Sequence, residues 1–169
     1  MALGLAQKMA PIDASEIVQR YPVCVRVESA KGHNKGQVLD VLWGSLLHKG
    51  DVFQIVEQRE YPGTGLWYPH ALSQDSIVFM KPVKDLRGTR RWHPIDYRID
   101  ISRDQVNYHV NPVYPTGKDV AGKQQVELVL DGGIRFRVDV PRKNREHMTF
   151  AEVKAELVRL RSKVGVGRL

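Results

Sequence analysis

The chain has 169 residues, of which 42% are apolar and one is cysteine, so it can form an ordinary hydrophobic core but no internal disulfide. No run approaches the roughly 20 apolar residues of a membrane helix, and Lys8 follows the apolar residues of the N-terminus, unlike the charge of a secretory signal. We therefore expect an intracellular, cytoplasmic protein, or one incorporated into a virion or other large assembly, with no membrane partner.

The net charge of +7 is concentrated in the C-terminal half. Residues 1–80 contain 7 Lys or Arg and 8 Asp or Glu, a net charge of −1, whereas residues 81–169 contain 19 and 11, a net charge of +8. This asymmetry favours an anionic partner, which is either nucleic acid or an acidic protein surface. A diffuse charge that only keeps the protein in solution is the alternative, and it carries equal weight.

Residues 1–21 are predicted to form an N-terminal arm and a short helix. Asp13 precedes Glu16 by three residues, which is the spacing of a helix-capping box, and two β-branched apolar residues follow. Tyr21-Pro22 then ends the helix, because the residue before a proline is disfavoured in helical geometry.

Residues 22–80 are predicted to be rich in short strands. Apolar residues at every second position from Val23 predict one buried face, with Cys24 half-buried on the other face. Residues 77–80 form an uninterrupted apolar run, which predicts a strand covered on both faces. Turn-rich loops separate the strands, so we expect a small barrel or sandwich.

The approach to one of these strands resembles that of SH3-like barrels. Lys49-Gly50-Asp51 precedes the strand from Val52, and a broken hairpin with Trp67 and Tyr68 follows it. The resemblance covers Val23 to Met80 and implies a small SH3-like barrel in the N-terminal half. No family-specific motif accompanies it.

Residues 81–94 are predicted to be a basic connector, because they contain prolines, a glycine and clustered positive charge with Asp85 as the one acid among it. Arginine beside an exposed aromatic ring suits nucleic acid, where guanidinium groups bind phosphates and the ring stacks on a base. The same pair suits a protein interface, where Arg and Trp often dominate the binding energy. The candidate anion- or partner-binding residues of this connector are Lys81, Lys84, Arg87, Arg90, Arg91 and Trp92.

Residues 95–169 are predicted to form a sheet with a C-terminal helix, either as a separate domain or continuous with residues 22–80. Apolar alternation over residues 95–101 and again over residues 106–110 predicts two strands, and the turn between them predicts that they pair as a hairpin. A Pro- and Gly-rich loop of about a dozen residues follows, which is a length typical of functional or partner-bound loops.

The clearest pattern of the chain begins at Gln125 and ends at Val164. Alternating apolar residues on both sides of Asp131-Gly132-Gly133 predict a β-hairpin with a tight turn. Thr149 then precedes Glu152 by three residues, and apolar residues recur at spacings of three and four, which predicts a capped amphipathic helix. With this helix packed on the sheet, the fold class is α+β and mainly antiparallel β.

A second basic group belongs to this hairpin and to the loop that follows it. Two of its arginines alternate with Phe136 and Val138, so they are expected on the face opposite the core. A rigid hairpin is a good support for a binding surface. The candidate binding residues of this group are Arg135, Arg137, Arg142, Lys143 and Arg145.

Motifs for chemistry are weak in this sequence. Residues 117–123 match the first seven positions of a phosphate-binding loop, but Gln124 replaces the Ser or Thr that holds magnesium, and the flanking segments do not predict a strand before it and a helix after it. The six histidines are scattered, so we predict no metal site and no cofactor. A nucleophilic role for Cys24 would need a histidine brought to it by the fold. We therefore expect a protein that is not an enzyme.

Two functions from different classes follow from these patterns. The first is a non-enzymatic structural or assembly protein, a homo- or hetero-oligomeric subunit of a complex such as a virion, in the manner of head-completion, connector, tail or decoration components. The alternative is a nucleic-acid-binding module that uses its basic groups, and its binding would weaken steeply with salt. A hydrolase or nuclease built from scattered His and Asp residues is the third possibility.

Overall fold

A computed structural model describes residues 12–31, 35–55, 75–83, 91–92, 95, 97–110, 125–130, 133–139 and 147–164, with the backbone alone described at 91, 110, 125–126 and 137–139. These residues divide into two compact units. The first contains the described residues of Arg20–Arg98, and the second contains those of Pro11–Gln19 and Ile99–Leu169. Among the described residues, the first unit therefore interrupts the sequence of the second.

In the described residues, both units consist mainly of strands. In chain order, the elements are β1 (Ile12–Asp13), α1 (Ala14–Arg20), β2 (Val23–Ser29), β3 (Lys35–Trp43), β4 (Val52–Gln54), β5 (Ser76–Met80), β6 (Pro82–Val83), β7 (Arg91–Trp92), β8 (Arg98–Asp100), β9 (Gln105–Val110), β10 (Gln125–Leu130), β11 (Ile134–Asp139), β12 (His147–Thr149) and α2 (Phe150–Lys163).

The first sheet, formed mainly by strands of the first unit, has the order β4-β3-β2-β5-β8, and β2 is antiparallel to both of its neighbours. The valines at alternate positions of β2 lie on one face, as their spacing predicts, and every residue of β5 is buried, as the apolar run predicts. A single apolar cluster covers this face. Its buried members are Val23, Val25, Val27, Val38, Leu47, Phe53, Ile55, Val78, Met80, Trp92 and Ile95.

The other face of β2 is also buried at the first residues of the strand, so the prediction for Cys24 is wrong. Cys24 is 0% exposed, not half-buried, and it stands beside Trp43 of β3 and Phe79 of β5 in the sheet register. Trp43 and Phe79 form a tilted ring pair with centroids 6.1 Å apart. The thiol therefore occupies a strand position that is buried by its neighbours in the sheet.

The sheet of the second unit has the order β1-β11-β10-β9-β12. Strands β10 and β11 form the antiparallel hairpin that the sequence predicts, with Leu128 opposite Phe136. Its turn is closed by a 3.0 Å hydrogen bond from Gly133 N–H to the Leu130 carbonyl. Gly133 has φ +87°, a value that glycine adopts without the strain a side chain would impose.

Helix α2 begins at the predicted cap. Glu152 N–H donates to Thr149 Oγ1 over 3.1 Å, and the buried residues of the helix are Val153 and Leu157, one turn apart. The helix lies beside β9 and β12. A capped, amphipathic C-terminal helix is thus confirmed.

Helix α1 is confirmed between Asp13, which accepts a 3.0 Å hydrogen bond from Ser15 N–H, and Tyr21-Pro22. Its last turn is held by the C-terminal helix, because Arg161 Nη1 donates to the Val18 carbonyl. Such a carbonyl has no partner within its own helix, so a guanidinium donor satisfies it.

The strands on either side of residues 102–104 were predicted to pair as a hairpin, and this prediction is wrong. Only Ser102 and Gln105 pair across the turn. Ser102 and Gln105 exchange two backbone hydrogen bonds of 2.9 and 3.0 Å around a two-residue turn. The strands then diverge, because β8 joins the first sheet next to β5, whereas β9 lies between β10 and β12. A local turn signal locates the reversal of the chain but does not determine the partners of the two strands.

The described strands form two five-stranded, antiparallel-rich sheets and the small sheet β6-β7, with two helices, which agrees with the predicted α+β class. Neither five-stranded sheet closes into a barrel among these strands, so the SH3-like barrel expected over residues 22–80 is not confirmed. The hairpin that carries Trp67 and Tyr68 in that resemblance lies outside the described residues.

Candidate functional site

The basic connector contains a lysine that is exposed and a tryptophan that is buried. Lys81 Nζ lies 5.0 Å from the centroid of the Tyr21 ring, a cation–π contact that leaves the ammonium group accessible to solvent. Trp92 is 1% exposed and belongs to the apolar cluster of the first unit. The expectation of an exposed ring is therefore wrong, because a ring at this burial cannot stack on a base.

Two short strands occur within the predicted connector. Pro82 of β6 stands opposite Trp92 of β7, and Val83 stands opposite Arg91. For Arg91 the structure describes the backbone alone, and residues 84–90 lie outside the described residues. The predicted sites at Lys84, Arg87 and Arg90 belong to that segment.

In the second basic group, Arg135 has a partner. Its Nε lies 3.3 Å from Oε1 of Glu127, a carboxylate that is 2% exposed on the neighbouring strand. The distance is that of an ion pair, but the Nε–H does not reach hydrogen-bond geometry with a partner. The positive charge of Arg135 therefore compensates a buried negative charge, and only part of it is available to an outside anion.

For the other members of this group, the structure describes the backbone of one residue and leaves the rest outside the described residues. Arg137 is described as a backbone position of β11, directly opposite Glu127 in the register. Arg142, Lys143 and Arg145 lie outside the described residues, as does the phosphate-loop match at residues 117–123.

Glu127 was not among the predicted site residues. Its sequence signal is a carboxylate between two apolar residues of a strand, which can be recognised as a buried charge only once the arginines of the next strand are in register. In the first unit, Arg26 and Asp75 form a comparable pair, with Nε–Oδ1 and Nη2–Oδ2 distances of 2.8 and 2.6 Å. Both pairs neutralise partly or fully buried charge within a unit.

Metal-binding side chains do not cluster in the part of the chain that the structure describes. No cluster of three or more His, Cys, Asp or Glu residues has the arrangement of a metal site among those residues. Within the same residues, neither helix is long and apolar enough to cross a membrane.

The outer side of β11 has a described neighbour along only a small part of its length. Strand β1 runs parallel to β11 only at its start, where Ile12 stands beside Ile134 and Asp13 beside Arg135. The chain then leaves the sheet as α1. Among the described strands, none lies beside the remaining four residues of β11, Phe136–Asp139, and we call their outer side the outer edge.

The hydrogen-bond pattern shows which backbone groups lie on the outer edge. Ile12 N–H donates to the Gly133 carbonyl over 2.9 Å, so the odd-numbered residues of β11 direct their backbone groups away from β10. The N–H and C=O groups of Arg137 and Asp139 therefore face outward. The backbone groups of the even-numbered residues face β10, so the pairing with β10 keeps β11 in the sheet.

Comparison with protein families, with curated proteins and with solved structures found no match to the chain.

Proposed function

We propose that the protein is a structural subunit of a larger assembly, which acts by binding other protein chains and not by catalysis. The outer edge of β11 is the observation that carries this proposal. A strand edge offers a row of backbone donors and acceptors to an extended segment, and strand addition is a common mode of protein recognition.

The geometry of the edge supports this proposal. Phe136 is 1% exposed, so its side chain anchors the strand in the core of its unit while the backbone at Arg137 and Asp139 faces outward. The edge strands β1, β4, β8 and β12 have two or three residues each and offer few backbone groups to a partner, and residues 39–43 of β3, beyond β4, are the other long stretch without a described strand beside it. A partner strand beside β11 would extend the second sheet without rearranging it.

The described members of the basic groups give less support to a nucleic-acid module. Trp92 is buried, and the charge of Arg135 is shared with Glu127. Lys81 retains an accessible charge, but a single lysine supplies only about one of the several phosphate contacts that tight binding requires. We therefore favour protein binding over phosphate binding. The classes of assembly that we propose are virions and ribonucleoprotein machines.

The proposal is tested by the size of the particle that contains the protein in its native source. Extracts are fractionated by sedimentation, and the chain is followed with an antibody. We expect it to sediment with a large particle and to be released from it by mild denaturant, but not by nuclease. Sedimentation as a free monomer would contradict the proposal, and release by nuclease or by moderate salt would favour the nucleic-acid module.

A further inference from the structure

We infer that the outer edge of β11 pairs with the same edge of a second copy of this chain. The two β11 strands run antiparallel about a twofold axis at Val138. The sheet of the second unit in one copy thereby continues into the same sheet of the other copy. This inference rests on the proposed function, since it names the partner of the edge that carries that proposal. A twofold interface must be complementary to itself, and both the length and the charge order of this edge meet that condition.

The length of the edge is limited at both ends. On the N-terminal side, β1 occupies the outward-facing groups as far as Arg135. On the C-terminal side, Pro141 follows Asp139 by two residues, and proline has no N–H for the next outward bond. The stretch available to a partner is centred on Val138, so an axis at this residue uses all of it in both copies.

The register that follows places opposite charges together. With the axis at Val138, Arg137 of one copy stands opposite Asp139 of the other, and the reverse pair occurs on the other side of the axis. Because the backbone groups of both residues face outward, each pair exchanges both of its N–H···O=C bonds. Opposite charges in directly opposed strand positions add to this pairing.

Neighbouring registers are less favourable. An axis at Arg137 would place two arginines opposite each other and would require Arg135, whose outward groups already meet β1. An axis at Asp139 would place two aspartates opposite each other and would bring Pro141 into the ladder. Only the axis at Val138 satisfies both the backbone limits and the charges.

This symmetry favours a second copy over an unrelated partner strand. An unrelated strand has no reason to match a stretch that is bounded at one end by β1 and at the other by a proline. The same stretch of a second copy has those bounds in the reverse order, as an antiparallel partner requires. We therefore assign a homodimer whose two second units form one continuous sheet.

The test uses the full-length chain and measures its mass by sedimentation equilibrium from about 1 to about 100 µM, the range in which a short strand pairing should dissociate. Asp139→Arg places like charges opposite each other at two symmetry-related positions, and we expect at least about tenfold weaker dimerisation. Asp139→Asn should weaken it less, and Asp139→Glu should leave it nearly unchanged. Arg137 is left intact, because it stands opposite the buried Glu127 within its own hairpin.

Amide hydrogen exchange of the unmodified chain supplies a readout that does not depend on any substitution. The amides of Arg137 and Asp139 should exchange quickly in dilute samples and slowly in concentrated ones, whereas those of Phe136 and Val138, which bond to β10, should be protected in both.

The outcomes separate this inference from the proposed function. A chain that is monomeric at every concentration, or a dimer that Asp139→Arg leaves unchanged, overturns the inference. If such a chain still sediments in a large native particle, the assembly role stands with another partner. If the chain also sediments as a monomer in extracts of its native source, both the inference and the proposed function are contradicted.

Discussion

Two glycines of the first unit share a positive φ but differ in the space around them. Alanine substitutions at these positions therefore separate the cost of a steric clash from the cost of backbone strain. Gly44 has φ +100° and Gly50 has φ +92°, so an alanine at either position would be held in the left-handed region. A Cβ on Gly44 would lie 2.8 Å from the Pro22 carbonyl oxygen and 2.9 Å from Val23 Cγ2, whereas a Cβ on Gly50 would meet nothing within 4 Å. Gly50→Ala is therefore a matched control for Gly44→Ala.

The expected magnitudes differ because only one substitution creates a clash. The left-handed conformation costs an alanine about 1–2 kcal/mol, which a more restricted unfolded chain partly offsets. At Gly44 the obstructing groups are a backbone carbonyl and a buried valine, so overpacking adds about 1–3 kcal/mol. We expect Gly44→Ala to lower the free energy of unfolding by at least about 1 kcal/mol more than Gly50→Ala does.

Urea denaturation of the two variants and the parent, followed by circular dichroism, measures this difference. In thermal denaturation, each kcal/mol should correspond to a decrease of about 2–4 °C in Tm for a chain of this length. Equal losses of stability in the two variants would refute the close approach of Gly44 to Pro22 and Val23.

Three further variants test other features of the two units. Arg135→Met should lower the free energy of unfolding by about 1–3 kcal/mol, because Glu127 would remain buried without this guanidinium; a stability that stays unchanged at neutral pH would contradict the ion pair. Arg103 and Asp104 have φ values of +52° and +60°, so the double change Arg103→Asn and Asp104→Gly, the preferred pair for this turn, should raise Tm, and a lower Tm would show that the native residues are needed there. The Ser76 hydroxyl is buried without a hydrogen-bond partner among the described atoms, so Ser76→Ala should be neutral or stabilising by up to about 1 kcal/mol in urea denaturation, and a clear loss of stability would reveal a bond to the hydroxyl.

The elements that the sequence predicts correctly are those whose signals are local. The turn at Gly133 and the cap at Thr149 each depend on residues within a few positions of one another, and both are found in place. The alternation of β2 likewise predicts which residues face the apolar cluster. Such patterns report on backbone geometry and on one buried face, because neighbouring residues are sufficient to produce them.

The errors come from contacts between residues that are distant in sequence. Cys24 was expected half-buried because it alternates with the buried valines of β2, and Trp92 was expected exposed because it follows two arginines, yet other strands bury both residues. The pairing of Glu127 with Arg135 requires the register of the hairpin, which the residues between them do not specify uniquely. The outer edge of β11 depends on where β1 ends, and β1 lies over a hundred residues earlier in the chain.

The contact between Arg161 and the Val18 carbonyl has a consequence for the order in which this protein folds during synthesis. The two residues are 143 positions apart, and β1 pairs with β11 over a similar separation. A growing chain presents α1 and β1 before the described residues of the first unit, but their partners β11 and α2 only after them. The first unit can therefore fold before β11 and α2 are synthesised, whereas the second must keep α1 and β1 unpaired until those elements have emerged.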